Sequence, residues 1–278
     1  MTNLTRAVSI PNLANDGCVS ILGVKVHATS MDRAVSRIES LVASGDKHYV
    51  CVTGVHGIME AQVDPDLKRI INRADLNIPD GRPTVWVGWL RGFFQMRQVT
   101  GPDMMLKIFS RSAEKGYTHF FYGGNTGVAE QLKDELTETF PGAKVVGTYT
   151  PPFRPLNPEE QAELIRTVGE LKPDFFWVGL STPKQEKFMD EYLPKLDTKL
   201  MLSVGAAFDI HTGRIKDAPY WMKFVGVQWC HRMYQDPSRL WRRYCINNPK
   251  FLYHLVLEFL GLASYEGTSD GRHHESRA

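Results

Sequence analysis

The 278-residue sequence predicts an α/β fold, a mostly parallel sheet with helices on both faces, followed by a helical C-terminal appendage. Three observations predict it. Short apolar runs rich in β-branched and aromatic residues alternate with helix-period segments as far as Val204, and strands so separated pair in parallel under two helical layers. Thr53, Asp80, Gly123, Gly124, Lys184, Gln185 and Asp209 all come just after predicted strands, where such sheets bind their ligands. After Asp209 the alternation stops and helical segments alone remain.

The first apolar run is "VSILGVKV", followed by a helix from about Ser30 to Val42, the strand "YVCVT", a helical stretch to Asn72, the strand "LNIP" and a helix from about Pro83. Helices over 102–115, 128–139, 158–171 and 183–192 then precede the strands "THFFYGG", "AKVVGTY", "DFFWVGL" and "KLMLSVG" in turn. Beyond them come "APYWMKFVGVQWCHRMYQ", "DPSRLWRRYC" and "NPKFLYHLVLEFLGLA", with Asp236 as N-cap and Pro237 at the first helical position. The domain boundaries that follow are a flexible start over 1–17, an α/β domain over 18–213, the appendage over 214–263 and a disordered polar tail over 264–278.

A hydrophobic content of 42% is that of a globular chain. The formal charge of +2 hides an asymmetry: from Arg214 to Lys250 there are eight Lys or Arg against two Asp, which leaves the remainder at −4. A basic C-terminal region on such a body suggests a local anionic partner: phosphate, a membrane surface or nucleic acid. Four scattered cysteines give neither a zinc pattern nor a disulfide framework, and a reducing cytoplasm fits. Neither a signal peptide nor an apolar run of spanning length is present, so the expectation is a protein neither exported nor integral.

Each candidate site has an ordinary structural reading beside the functional one. "IPDG" puts Asp80 before Gly81, which is turn chemistry, yet it also leaves a carboxylate beyond a strand end. "FFYGGNTGVAEQL" is strand, glycine turn and helix, a phosphate-binding arrangement without the complete GxGxxG. "GLSTPKQEKF" crowds Lys184, Gln185 and Glu186 at a helix start after a wholly apolar strand, as in a cleft wall or a capped, solvated turn. "VDPDLKR" contains a DxD that would suit a divalent cation, but it interrupts helical periodicity, and Asp64 reads as a cap before Pro65; no metal is expected. His56 follows a strand and could carry a proton, although a lone histidine is more often packed or on the surface. Trp86, Trp89 and Trp177 are assigned to the core.

In sequence order, "CVTGVHGIMEAQ", "IPDG", "FFYGGNTGVAE", "PDFFWVGLSTPKQE", "VGAAFDIHTG", "APYWM" and "DPSRLWRRY" resemble the WecG/TagA/CpsF family of bacterial glycosyltransferases, from about Val19 to Leu260. The resemblance implies a Rossmann-like body with a helical appendage. It also implies inverting, metal-independent transfer from a UDP-sugar to a polyprenyl-diphosphate-linked saccharide at the cytoplasmic membrane face, in the synthesis of cell-surface polysaccharide. The transferred sugar would be of the N-acetylmannosamine, uronate, hexose or glucuronate type. By resemblance Asp80 is the catalytic base, Thr53 and Gln185 lie near the donor sugar and Asp209 beside the nucleotide. Gly123, Gly124, Lys184 and His56 would complete the donor site, and Arg232, Arg239 and Arg242 would face the acceptor diphosphate across an anionic membrane surface. No cofactor and no nucleic acid is implied, and a homo-oligomer is left open. Val55 and Gln98 stand where the family often has Asn and Arg, so the sugars stay undecided. The rival readings are a non-catalytic nucleotide or polyprenyl-diphosphate binding module and a dinucleotide-cofactor enzyme.

Overall fold

The structure, a computed structural model, describes residues 17–265, less the side chains of Tyr220, Phe224 and Arg239. The expected flexible start and polar tail lie, apart from their inner edges, outside the described residues. The apolar run "VSILGVKV" is not a strand of the main sheet. It folds into an antiparallel hairpin, β1 (Cys18–Ile21) and β2 (Val24–His27), because Leu22 (φ 50°) and Gly23 (φ 77°) both take the left-handed region that a two-residue turn demands. Asn77 ties the hairpin to the body, its amide Nδ2 donating to the Lys25 carbonyl at 2.6 Å and its backbone N–H to His27 Nδ1 at 2.9 Å.

The body runs α1 (Met31–Ala43), β3 (His48–Thr53), α2 (Val55–Val63), α3 (Pro65–Arg73), β4 (Leu76–Pro79), α4 (Arg82–Leu90) and α5 (Gly101–Lys115). It continues with β5 (Thr118–Gly123), α6 (Val128–Thr139), β6 (Lys144–Tyr149), α7 (Pro158–Leu171), β7 (Phe175–Gly179), α8 (Lys184–Tyr192), β8 (Leu200–Ser203) and α9 (Ala207–His211). The helical stretch to Asn72 is two helices, divided at the Asp64 cap that the sequence predicts. Asp64 ends α2 in an extended conformation and caps α3, accepting from Leu67 N–H at 3.0 Å with Pro65 next.

Six strands, ordered β4-β3-β8-β7-β5-β6, pair in parallel throughout. Side chains alternate across the sheet. Phe121, Phe175 and Trp177 enter a core with α1, α5, α6 and Phe208 of α9, while Phe120, Phe176 and Val178 enter a second with α7 and α8. A third cluster joins the hairpin, α2 and α4 to Phe251. Trp177 is fully buried as expected, whereas Trp86 is half-exposed on α4.

The C-terminal part is helical, with α10 (Tyr220–Phe224), α11 (Gln228–Gln235), α12 (Pro237–Cys245) and α13 (Asn247–Phe259). Its first predicted helix is broken in two at Gly226. The left-handed φ of 78° there, and the 2.9 Å that would separate an added Cβ from Arg82 Cβ, call for glycine between the two pieces. These helices reach the body through α13 on α2, through Arg82 Nε donating to the Lys223 carbonyl, and through an Arg91–Glu258 ion pair.

Opposite the site, Asp174 staples three strand starts. Its carboxylate accepts from Thr118 N–H at 2.8 Å and Oγ1 at 3.0 Å and pairs with Lys199 at 2.7 Å, while its carbonyl accepts from Leu200 N–H. Burial alone would raise the pKa of this carboxyl, but the bonds from Lys199 and Thr118 outweigh it and hold it below the usual value. A depressed carboxyl pKa contributes stability that is present above the unfolded-state value and is lost as pH falls through the folded one. Asp174→Asn is expected to lower unfolding free energy at neutral pH by about 1–3 kcal/mol, and to flatten the loss of stability below about pH 4, in urea titrations at several pH values.

Candidate active site

A cavity of about 1410 Å³ opens along the carboxyl ends of β3, β8, β7 and β5 and is closed on its far side by α11, α12 and α13. Asp80 sits in its wall. The peptide N–H of Asp80 donates to the Thr53 carbonyl at 3.0 Å, which extends the β3–β4 ladder by one residue and fixes where the side chain starts. Gly54 must be glycine for this approach, since a Cβ would lie 2.6 Å from the Asp80 carbonyl oxygen, and Gly81 turns the chain into α4 with φ 96°. Burial raises the pKa of the Asp80 carboxyl; the Arg232 and Arg243 guanidiniums oppose that rise, and Asp103 adds to it.

Thr53, at the end of β3, is buried, and its Oγ1 has no hydrogen-bond partner in the protein. The "GLSTPKQE" segment leaves β7 through a cis Thr182–Pro183 bond and enters α8. Lys184 is exposed at the cavity rim, but Gln185 and Glu186 point inward and are 3% and 1% exposed. Glu186 is raised in pKa by burial, against bonds from Gln185, its own backbone amide and Thr182 and the charge of Arg243.

The glycine pair divides its work. Gly123 (φ 128°) is buried where β5 meets β7, a Cβ there falling 2.5 Å from the Gly179 carbonyl oxygen, while Gly124 and Asn125 reach the cavity. Asp209 of α9 lines the same wall. His56 stands at the junction with the appendage: its Nδ1 is 3.1 Å from Asn247 Nδ2 of α13 and 3.6 Å from Glu60. Burial, then the Arg243 charge, lowers its pKa to about 4 against a bond to the Thr182 backbone, so His56 is neutral near pH 7 and its contact with Glu60 is not an ion pair.

Arg232 on α11 and Arg242 on α12 both line the cavity, and Arg232 Nε is buried without a protein acceptor. Arg239 falls on α12, its side chain outside the described residues. Gln98, where an Arg is frequent in the family, has its amide Nε2 3.4 Å from Gln228 Oε1 of α11. Three groups had no assigned site role in the sequence reading: Arg243, whose charge acts on Asp80, Glu186 and His56 together, Glu186 itself, and Asn247. The signal for Glu186 was its place after a wholly apolar strand; nothing in one sequence tells a buried first-turn acid from a solvated one. Asp64 is occupied as a cap and pairs with Lys187 at 2.6 Å, and among the described residues no three His, Cys, Asp or Glu side chains gather into a metal-binding group.

The geometry is therefore a strand-end cavity with Asp80, Glu186 and Asp209 among its carboxyls, polar groups of the strand ends on the body side and guanidiniums on the appendage side. Among curated proteins the chain is similar to the N-acetylglucosaminyldiphosphoundecaprenol N-acetyl-beta-D-mannosaminyltransferase of Bacillus spizizenii, 27% identical over 219 residues, which is 78% of this chain and 82% of that protein. The Bacillus subtilis protein of the same name is 22% identical over 231 residues, 80% of this chain and 88% of that one. The family model for the glycosyl transferase WecG/TagA/CpsF family matches residues 19–264, all of the elements that form the cavity included; the chain belongs to this family and is a glycosyltransferase.

Proposed function

We propose that the chain moves a sugar from a UDP-sugar to a saccharide carried on polyprenyl diphosphate, by a single inverting displacement with Asp80 as the base. The observation that carries the reading is the joint placement of Asp80 and Arg232 in one cavity, the carboxyl on the body and the guanidinium on the appendage. In this reaction the acceptor hydroxyl gives its proton to the Asp80 carboxylate as its oxygen pair forms the new bond to the anomeric carbon. The bond to the phosphate oxygen breaks with its electrons, and UDP departs from the opposite face. Raising the Asp80 pKa by burial makes it a stronger proton acceptor, provided it stays ionised at working pH, which the two arginines favour.

The departing diphosphate needs positive electrostatics that do not move during the reaction. Gly124 at a strand-to-helix turn and Lys184 at the rim suit that role, with Asp209 toward the nucleoside, and no step requires a metal ion. Arg232, Arg239 and Arg242 are assigned to the acceptor diphosphate, for which guanidinium forks are well shaped. The N-acetylmannosaminyl group in the relatives' names makes N-acetylmannosamine the first donor sugar to test.

No helix among the described residues is long and apolar enough to cross a membrane. The appendage nevertheless exposes Trp241, Leu252, Val256, Phe259 and Leu260, and the Arg91–Glu258 pair brings exposed Leu90 beside them. Such a patch next to a basic surface supports peripheral docking on anionic lipid at the cytoplasmic face, where a polyprenyl acceptor is presented.

Asp80→Asn is expected to cut turnover by ~10²-fold or more while leaving UDP-sugar affinity within a few-fold, read by product mass and calorimetry; wild-type turnover in the variant removes Asp80 from the mechanism. In the wild type, kcat/KM should fall on the acid side through a pKa above the ordinary aspartate value, because the base acts only when ionised. Turnover should persist in EDTA; loss that Mg²⁺ or Mn²⁺ restores contradicts the metal-free step. Arg232→Ala should raise KM for the lipid-diphosphate acceptor more than it weakens UDP binding, and salt should weaken binding to anionic liposomes, whereas salt-independent binding would point to the apolar patch alone.

A further inference from the structure

Gln185, which the family resemblance puts near the donor sugar, has its amide engaged within the protein. Its Nε2 donates to Glu186 Oε1 at 2.9 Å and to Thr182 Oγ1 at 3.3 Å, and its Oε1 accepts from Gly205 N–H at 3.1 Å. An amide nitrogen has two hydrogens, so none remains for a ligand. The open group lies one residue on. Glu186 is 1% exposed; its Oε1 accepts from Thr182 Oγ1 at 2.9 Å as well as from Gln185, while its Oε2 is buried without a partner in the protein. Glu186 lines the cavity that holds Asp80.

A second unpartnered oxygen is close by. Thr53 Oγ1 is buried without a partner, and the carbonyl of the same residue receives the Asp80 N–H. Gly57 of α2 links the two: a Cβ on it would lie 3.1 Å from Thr53 Cγ2 and 3.9 Å from Thr182 Cγ2, and the hydroxyl of Thr182 is the one that holds Glu186. Thr53 and Glu186 thus line the same cavity as the proposed base, and the methyl groups of Thr53 and Thr182 both approach Gly57. Burial disfavours the charged form of Glu186, and a carboxylic acid whose first oxygen already accepts two hydrogen bonds has one O–H left to give. Two neutral donors set among methyl groups complement a sugar hydroxyl or an acyl carbonyl. A phosphate oxygen finds better partners among the arginines, Lys184 and the Gly124 turn.

We propose that Glu186, as the carboxylic acid, binds the donor by giving a hydrogen bond from Oε2 to a neutral oxygen of the transferred sugar, with Thr53 Oγ1 as its companion. This rests on the reading of the cavity as a nucleotide-sugar site, and it assigns the sugar-contacting role to Glu186, held in place by Gln185 and Thr182.

The test is calorimetric binding of UDP and of UDP-N-acetylmannosamine, UDP-glucose and UDP-glucuronate to the full chain and to Glu186→Ala and Glu186→Gln, with thermal unfolding alongside. Glu186→Ala should weaken the sugar nucleotide the wild type prefers by ~10-fold or more, the scale of one buried hydrogen bond, with UDP affinity unchanged. Glu186→Gln keeps a carbonyl for Thr182 and an N–H for the sugar, and should stay within about 3-fold of the wild type. Equal losses in the two variants would mean that Glu186 acts as an anion and would overturn the proposal, as would equal weakening of UDP and UDP-sugar, or no effect in either variant. A wild type that binds UDP no better than buffer overturns the nucleotide-sugar reading itself, a result distinct from all of these.

Discussion

The site is organised around a carboxyl group set in the cavity wall within reach of two guanidinium charges. Asp80 directly follows β4, its backbone N–H bonded to the Thr53 carbonyl at the end of β3, which fixes where the side chain starts. A buried carboxylate without compensating charge is strongly unfavourable. Among the described residues, the compensation comes from Arg232 on α11 and Arg243 on α12, neither of which belongs to the α/β body. The appendage is therefore part of the electrostatics of the site as well as one of its walls. Arg243 extends the same influence to Glu186, and it helps keep His56 neutral at the α2–α13 junction.

Asp80 and Glu186, two of the carboxyls lining this cavity, are both raised in pKa by burial but have different partners. Asp80 faces guanidiniums and can carry charge. Glu186 has its lone pairs on one oxygen satisfied by a hydroxyl and an amide, neutral donors that stabilise either protonation state far less selectively than a cation does. Thr53, Gln185 and Glu186 thereby give the strand-end wall hydrogen-bonded or unpartnered polar groups, while Arg232 and Arg242 bring positive charge from the appendage.

Much of the architecture was legible because parallel strands buried on both faces read as continuous apolar runs, and "FFWVG" and "LMLS" could hardly be anything else. The helices α6 and α7 have the bounds their periodicity predicts, the latter helped by the Asn157 capping box. The hairpin was hidden because Leu22 takes a positive φ that leucine seldom adopts, which left no visible turn inside "VSILGVKV". Gly226 was the visible signal for the break between α10 and α11, but apolar residues on both sides masked it. Asp80 could be suspected from its place after a strand. Its arginine partners come from more than 150 residues further along the chain, and only the fold brings them into range. Glu186 was visible as a polar residue at a helix start after an apolar strand, but its burial was not: an acid in a first helical turn normally answers the helix dipole in water, and burial is a property of the neighbours.

The join between appendage and body differs in kind from the joins within the body. The sheet is covered by aromatic and aliphatic side chains at zero exposure, such as Phe109, Phe121, Phe176 and Trp177, and separating those layers would expose large apolar areas. Between α10–α13 and the body the contacts include the Gln98–Gln228 and His56–Asn247 pairs, the Arg91–Glu258 ion pair and the Arg82–Lys223 hydrogen bond, with Phe251 as a buried apolar anchor. Polar pairs of this sort exchange readily for water and contribute little net stability each. The appendage is therefore joined to the body by a more polar interface than the layers of the sheet are to one another. Because it carries the charges that compensate Asp80, any outward movement removes them and raises the proton affinity of the base.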